Sequence, residues 1–296
     1  MKIVTIKKIY FASLFLGALF LTSCQTKKRN ATSEDSSSIN SPYLGQKPPG
    51  LNPEVFAPGL VSTEHRDLSG FFTPDMREFY FTRKDLENGK WSLIVFKYEN
   101  KQWHESVVGP RVGRPIIAPD GKTIHLGKDY MERTATSWSE VKSLGPMFDR
   151  EDWGIMRLSS SFDGTYVFDD YKNNDVIRIS ALKDGKREQP RLLGKEINAG
   201  KYTAHPFIAP DGSYLIWDSE REGGYGDSDL YISFRRADGS WGTAINLGDK
   251  INTGFGESGG YVTPDGKYFF YNSGSIENKN IFWVDAEVIE KLRSQK

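Results

Sequence analysis

Read for hydrophobic and polar positions, the chain repeats one pattern five times: an apolar segment, a turn, and a second apolar segment. The copies are LSGFFTPDMREFYFTR from Leu68, GRPIIAPDGKTIHLGK from Gly113, MRLSSSFDGTYVFDDY from Met156, AHPFIAPDGSYLIWDS from Ala204 and SGGYVTPDGKYFFYNS from Ser258. They align without a gap on Asp75, Asp120, Asp163, Asp211 and Asp265, so that successive copies lie 45, 43, 48 and 54 residues apart. Each predicts a β-hairpin. Proline presets the first turn angle, aspartate bonds the backbone ahead of it, and glycine takes the positive φ that closes the turn. Met76 replaces the glycine in the first copy and Phe162 the proline in the third, which weakens two turns and leaves the flanking strands intact.

A second hairpin follows in most copies: WSLIVFKYENKQW ending at Trp103, DVIRISALKDGKR ending at Arg187 and DLYISFRRADGSW ending at Trp241. A further strand recurs in PRLLGKEINAG from Pro190 and AINLGDKINTG from Ala244, making four strands per unit; the copy around Trp138 is shorter. Four-stranded sheets with two faces and two edges to protect pack face to face around an axis, and ring closure removes the exposed edges. The last copy supplies three strands before Asp285, where Val288, Ile289 and Leu292 take helical spacing. EVFAPGLVST, residues 54–63, precedes the first copy as AINLGDKINT precedes the last, and is expected to supply the missing strand. The predicted fold is therefore an all-β propeller of four-stranded blades, five favoured over six, closed by an N-terminal strand and followed by a short C-terminal helix.

The repeated PDG hairpin resembles the WD-type, PD-motif repeat of TolB-like periplasmic β-propellers, over roughly residues 54–285. That resemblance implies architecture. For function it implies only a broad range, because the family includes partner-binding proteins, peptidase accessory domains and lipoproteins.

The start of the chain follows a different pattern. Lys2, Lys7 and Lys8 precede an apolar run from Ile9 to Leu21, too short for an ordinary transmembrane span, which ends in Leu21-Thr22-Ser23-Cys24. This resembles the lipobox of bacterial lipoproteins and implies cleavage before Cys24 and acylation of that residue. Residues 25–42 hold one aliphatic residue larger than alanine, Ile39, and read as a tether. The expected organisation is a signal peptide over 1–23, a tether over 24–42 and the propeller domain over 43–296. The expected location is the bacterial cell envelope, with the protein held to the membrane through its lipid.

Composition narrows the function classes. Lys+Arg and Asp+Glu are both 39, so no overall field favours nucleic acid. Cys24 is the single cysteine, which rules out an intramolecular disulfide and leaves stability to packing. Tyr and Phe number 14 and 18 beside 29 Gly, a mixture that suits strands joined by tight turns.

Candidate chemistry follows from the fold, since the first strand of each blade lines the axial channel. Five residues before the motif proline or its equivalent lie Ser69, Arg114, Arg157, His205 and Gly259; seven before it lie Asp67, Val112, Ile155, Thr203 and Glu257. By strand alternation both sets face one side. Arg114, Arg157, His205, Asp67 and Glu257 are then expected to form a polar mouth that binds a protein partner or a small ligand through carboxylate, sugar or peptide-end chemistry. The competing arrangement is a set of charges that satisfy one another around a wet channel. The rival function is a glycoside hydrolase using Asp67, Asp152 and Glu257, with the expectation set against an enzyme because no hydrolase motif surrounds them. SFDGTY at Ser161 looks like a sialidase Asp-box but sits in the repeat hairpin. The four histidines lack metal spacing, no cofactor motif is present, and the Gly-rich REGGYGDSDLY from Arg221 reads as a connection between strands rather than a calcium loop.

Overall fold

The computed structural model describes residues 42–275 and 277–294, so the signal segment, Cys24 and the tether up to residue 41 lie outside the described residues. Five four-stranded antiparallel sheets form the blades of a propeller. Blade I contains Arg66–Phe72, Glu78–Lys84, Trp91–Glu99 and Gln102–Pro110, and blade II contains Ile116–Ile117, Thr123–His125, Asp129–Glu132 and Lys142–Ser143. Blade III is built from Leu158–Ser160, Tyr166–Asp170, Val176–Ser180 and Arg191–Leu192, with a separate ribbon at Leu182–Lys183 and Lys186–Arg187. Blade IV comprises Lys201–Ile208, Tyr214–Glu220, Asp229–Phe234 and Ile245–Asn246.

Blade V joins Ser258–Val262, Tyr268–Gly274 and Lys279–Asp285 to Glu54–Val55 from the other end of the described chain. Glu54 pairs with Trp283 and Val55 with Phe282, and Phe56 N donates to Ile281 O at 2.9 Å. The ring thus closes with five blades, through the N-terminal strand. Phe56, fully buried, fixes this closure by packing 4.8 to 6.1 Å, centroid to centroid, from Phe72, Phe79, Phe270 and Trp283. The helix Glu287–Arg293 follows, with Ile289 buried.

The motif aspartates act locally, as their turn chemistry demands. In all five hairpins the carboxylate accepts the backbone N–H two residues ahead, from Arg77, Lys122, Thr165, Ser213 and Lys267, at 2.9 to 3.2 Å. The strands on either side meet at Phe72↔Phe79, Ile117↔Ile124, Ile208↔Leu215 and Val262↔Phe269, each pair seven residues apart. Blade III departs from this, because Ser160 pairs with Tyr166, six residues on. The gapless alignment of the repeats therefore does not carry through blade III, where a one-residue register change exchanges which side chain of the second strand faces the axis.

Candidate functional site

The innermost strands of blades I, IV and V do not run straight. Their registers shift between Leu68 and Phe71, Ala204 and Phe207, and Ser258 and Tyr261. Within those bulges Ser69, His205 and Gly259 adopt φ values of 59°, 49° and 68°. A bulge turns the backbone N–H out of the ladder, and here a polar side chain of the preceding blade in the ring takes it up. Ser69 N donates to Asn272 Oδ1 at 2.9 Å, His205 N to Asp169 Oδ2 at 3.0 Å, and Gly259 N to Asp218 Oδ1 at 3.0 Å. Asp169 Oδ1 also accepts from Met156 N and Arg157 N at 2.7 and 3.0 Å, while His205 Nδ1 donates to Asp218 Oδ2 at 2.8 Å.

Around this ring opens a cavity of about 530 Å³, at the end of the channel away from the PDG turns. Arg114, Asp169, His205, Asp218, Glu257 and Lys279 line its polar floor and wall. Tyr171, Tyr202 and Phe255, all at least half exposed, stand on its rim with Asp175, Glu220 and Asp227. Arg157 lies just under the floor, 3% exposed. A methyl group placed on Gly259 would stand 2.7 Å from Asn272 Nδ2, 3.2 Å from Arg157 Nη1 and 3.7 Å from Arg114 Nη1, so the bare backbone of this glycine lets the two guanidinium groups come close to each other and to Asn272. Nε and Nη1 of both arginines have no hydrogen-bond partner among the described residues.

Burial dominates the electrostatics. It pushes the Arg157 guanidinium down to about 10 and, with Arg114 nearby, the Lys279 ammonium down to about 8. It lowers His205 as well, with Arg114 reinforcing the effect and Asp218 opposing it. Burial raises Asp169 and Glu257 against the hydrogen bonds they accept.

Of the residues chosen from sequence, the structure brings Arg114, Arg157, His205 and Glu257 to this end of the axis and leaves out two. Asp67 is fully buried inside blade I, where it accepts from Arg83 Nε at 2.7 Å and from Thr63 N and Oγ1 at 3.0 and 2.8 Å. Asp152 sits in the exposed loop before blade III and pairs with Arg150 at 2.6 Å. Glu257 borders the cavity, yet its oxygens accept from Thr253 N, Thr253 Oγ1 and Ser273 Oγ. These three carboxylates do not converge. The strand alternation used to place them breaks at the bulges.

Sequence reasoning missed Asp169, Asp218 and Lys279, together with the aromatic rim. One signal was available for the acids: a polar residue recurs seven positions after the motif aspartate as Thr82, Asp170, Asp218 and Asn272. In blade III the register change substitutes Asp169, and Asp170 pairs instead with Arg178 at 2.9 Å. The Gly-rich loop from Arg221 closes on Asp229, whose carboxylate accepts from Tyr225 N, Gly226 N and Asn246 Nδ2.

The sequence matches no protein-family model and no curated protein. Solved structures share the fold. The catalytic domain of an α-L-arabinofuranosidase from Coprinopsis cinerea superposes with a TM-score of 0.51 at 10% identity, over 80% of this chain and 97% of that one. An endo-arabinase from Bacteroides thetaiotaomicron gives 0.49 at 14%, over 81% and 97%. TolB from Acinetobacter baumannii gives 0.45 at 15%, over 75% of this chain; the match spans 55% of TolB's length. At these identities the likeness is one of fold. It corrects the expectation that the chain is not an enzyme: the catalytic domain of a glycoside hydrolase shares this propeller, so enzymatic function is open to the fold.

Proposed function

We propose that the propeller binds a small ligand in the axial cavity, and that the protein is held to a membrane of the bacterial cell envelope by acylation of Cys24. The observation that supports binding is the convergence at one concave site of polar groups from four blades. Arg114 comes from the connection into blade II, Asp169 from blade III, His205 and Asp218 from blade IV, and Glu257 and Lys279 from blade V, all beneath exposed aromatic rings. A concave site with few convergent polar groups and perturbed ionisation is the form that small-molecule sites take.

The test is a thermal-shift screen of the full chain against amino acids, short peptides, organic acids and sugars, run beside a Ser275→Trp variant. Ser275 is an exposed rim residue, so an indole there fills the mouth without entering the core. A compound that raises the melting temperature of the native protein and not of the variant supports the reading. A screen in which every stabilising compound acts equally on both removes it.

A further inference from the structure

Resting on the reading that the cavity binds a small ligand, we infer that the ligand is a zwitterion: its carboxylate lies on Arg114 and Arg157 beside Gly259, and its cationic group lies at Asp175 and Asp227 on the rim.

Three observations support the deep end. Arg157 is 3% exposed, yet its Nε and Nη1 have no acceptor among the described residues, and the same two atoms of the partly exposed Arg114 are buried without one. Buried donors are almost always matched, and guanidinium donors above all. The nearest carboxylates do not supply the match, because Asp169 is occupied by three backbone N–H groups and Asp218 by Gly259 N and His205 Nδ1. The Nη1 atoms of both arginines lie within 3.7 Å of one point, the Cβ position that Gly259 lacks, with Asn272 Nδ2 at 2.7 Å from it. Two planar guanidinium groups held this close together suit one shared carboxylate.

The outer end has the opposite character. Asp175, Glu220 and Asp227 line the rim, and Glu220 alone has a cation, exposed Lys201 at 3.3 Å. Asp175 and Asp227 pair with no cation among the described residues. A simple anion would meet these acids on entry, whereas a molecule with its positive group behind its carboxylate satisfies both ends. Tyr171, Tyr202 and Phe255 add ring faces beside that outer position, where a cation gains further. The chemistry is that of a basic amino acid or of a peptide ending in one.

Calorimetry on the detergent-solubilised full chain decides between these outcomes, with L-lysine, acetyl-Gly-Gly-Lys, the C-terminal amide of that peptide, and D-glucuronate as probes. L-lysine or the free-acid peptide is expected to bind, and which of them binds distinguishes the two sources. The amide and glucuronate are expected to bind at least tenfold more weakly. Arg157→Met is expected to abolish binding of the acid, with the melting temperature reporting separately on the fold, because Arg157 makes no side-chain hydrogen bond through Nε or Nη1 among the described residues but lies in the field of Asp169 and Asp218. If that variant does not fold, Arg114→Lys, which keeps the charge and loses the fork, is expected to weaken acid binding tenfold or more. Equal binding of acid and amide overturns the carboxylate assignment and leaves the cavity reading standing. Glucuronate binding as well as the lysine compounds overturns the cationic half. Failure of all four probes overturns the zwitterion, while the thermal-shift screen against Ser275→Trp judges the cavity independently.

Discussion

Replacing Phe56 with alanine tests whether the N-terminal strand holds the ring shut or merely decorates its edge. The side chain is fully buried against four rings, two of them from blade I and two from blade V, so it bridges the seam where the ends of the chain meet. Removing a buried phenylalanine costs about 3–5 kcal/mol, through lost transfer energy and the cavity left behind. Against a total stability of about 5–15 kcal/mol for a domain, that is a large fraction. At roughly 2–4 °C per kcal/mol for a domain of this size, the melting temperature should fall by roughly 6–20 °C. Urea unfolding followed by both tryptophan fluorescence and far-ultraviolet circular dichroism gives the free energy and shows whether the blades unfold together. Deleting residues 43–62 should destabilise further, and deleting residues 25–41 should change little. A loss below about 1 kcal/mol for Phe56→Ala, with an unchanged m-value, would refute the claim that stability depends on closure at this seam.

Three other outcomes are expected. Burial pushes the imidazole of His125 down to about 3, and its Nδ1 has no hydrogen-bond partner among the described residues. The unfolded chain therefore takes up a proton near pH 6.5 that the folded one refuses; stability is fully present above that pH and should fall by about 2 kcal/mol between pH 7 and 5 from this residue alone. His125→Phe should flatten that part of the stability profile, and an unchanged slope counts against the argument. Asp67→Ala should cost about 3–5 kcal/mol by removing the buried acceptor shared by Arg83 Nε and Thr63, and should leave ligand affinity as it was; lost binding without lost stability would return Asp67 to the site. Cys24→Ser should abolish labelling with radioactive palmitate and partition into detergent-solubilised membranes, and persistent label would remove the proposed anchor.

The architecture was legible because its signals are local. A Pro-Asp-Gly turn needs only its own residues, and in all five hairpins the aspartate makes the backbone bond its chemistry predicts. Counting strands was enough to find the closing segment, since an unpaired edge in blade V had one candidate to cover it. The site was legible in part. Arg114, Arg157, His205 and Glu257 were found from repeat position, but Asp67, at the repeat position of Glu257, is fully buried and held by Arg83 and Thr63 inside blade I. Asp169 was hidden by the register change in blade III, which no alignment of the repeats by their turns reveals. Lys279, Tyr202 and Phe255 reach the cavity from segments with no repeat signature, and only the closed ring brings them together.

The bulges have a bearing on how such a ring can change over time. Ser69, His205 and Gly259 share a left-handed backbone, and in each case the N–H is held by a neighbouring blade rather than by the residue's own side chain. The same left-handed backbone carries a hydroxyl in blade I, an imidazole in blade IV and a bare hydrogen in blade V, where a Cβ would come within 2.7 Å of Asn272 Nδ2. Substitution at Ser69 or His205 alters what the axis presents while the neighbouring blade still holds the backbone N–H. A propeller built this way can acquire a new specificity by single exchanges at its centre, where most folds would have to rebuild a loop.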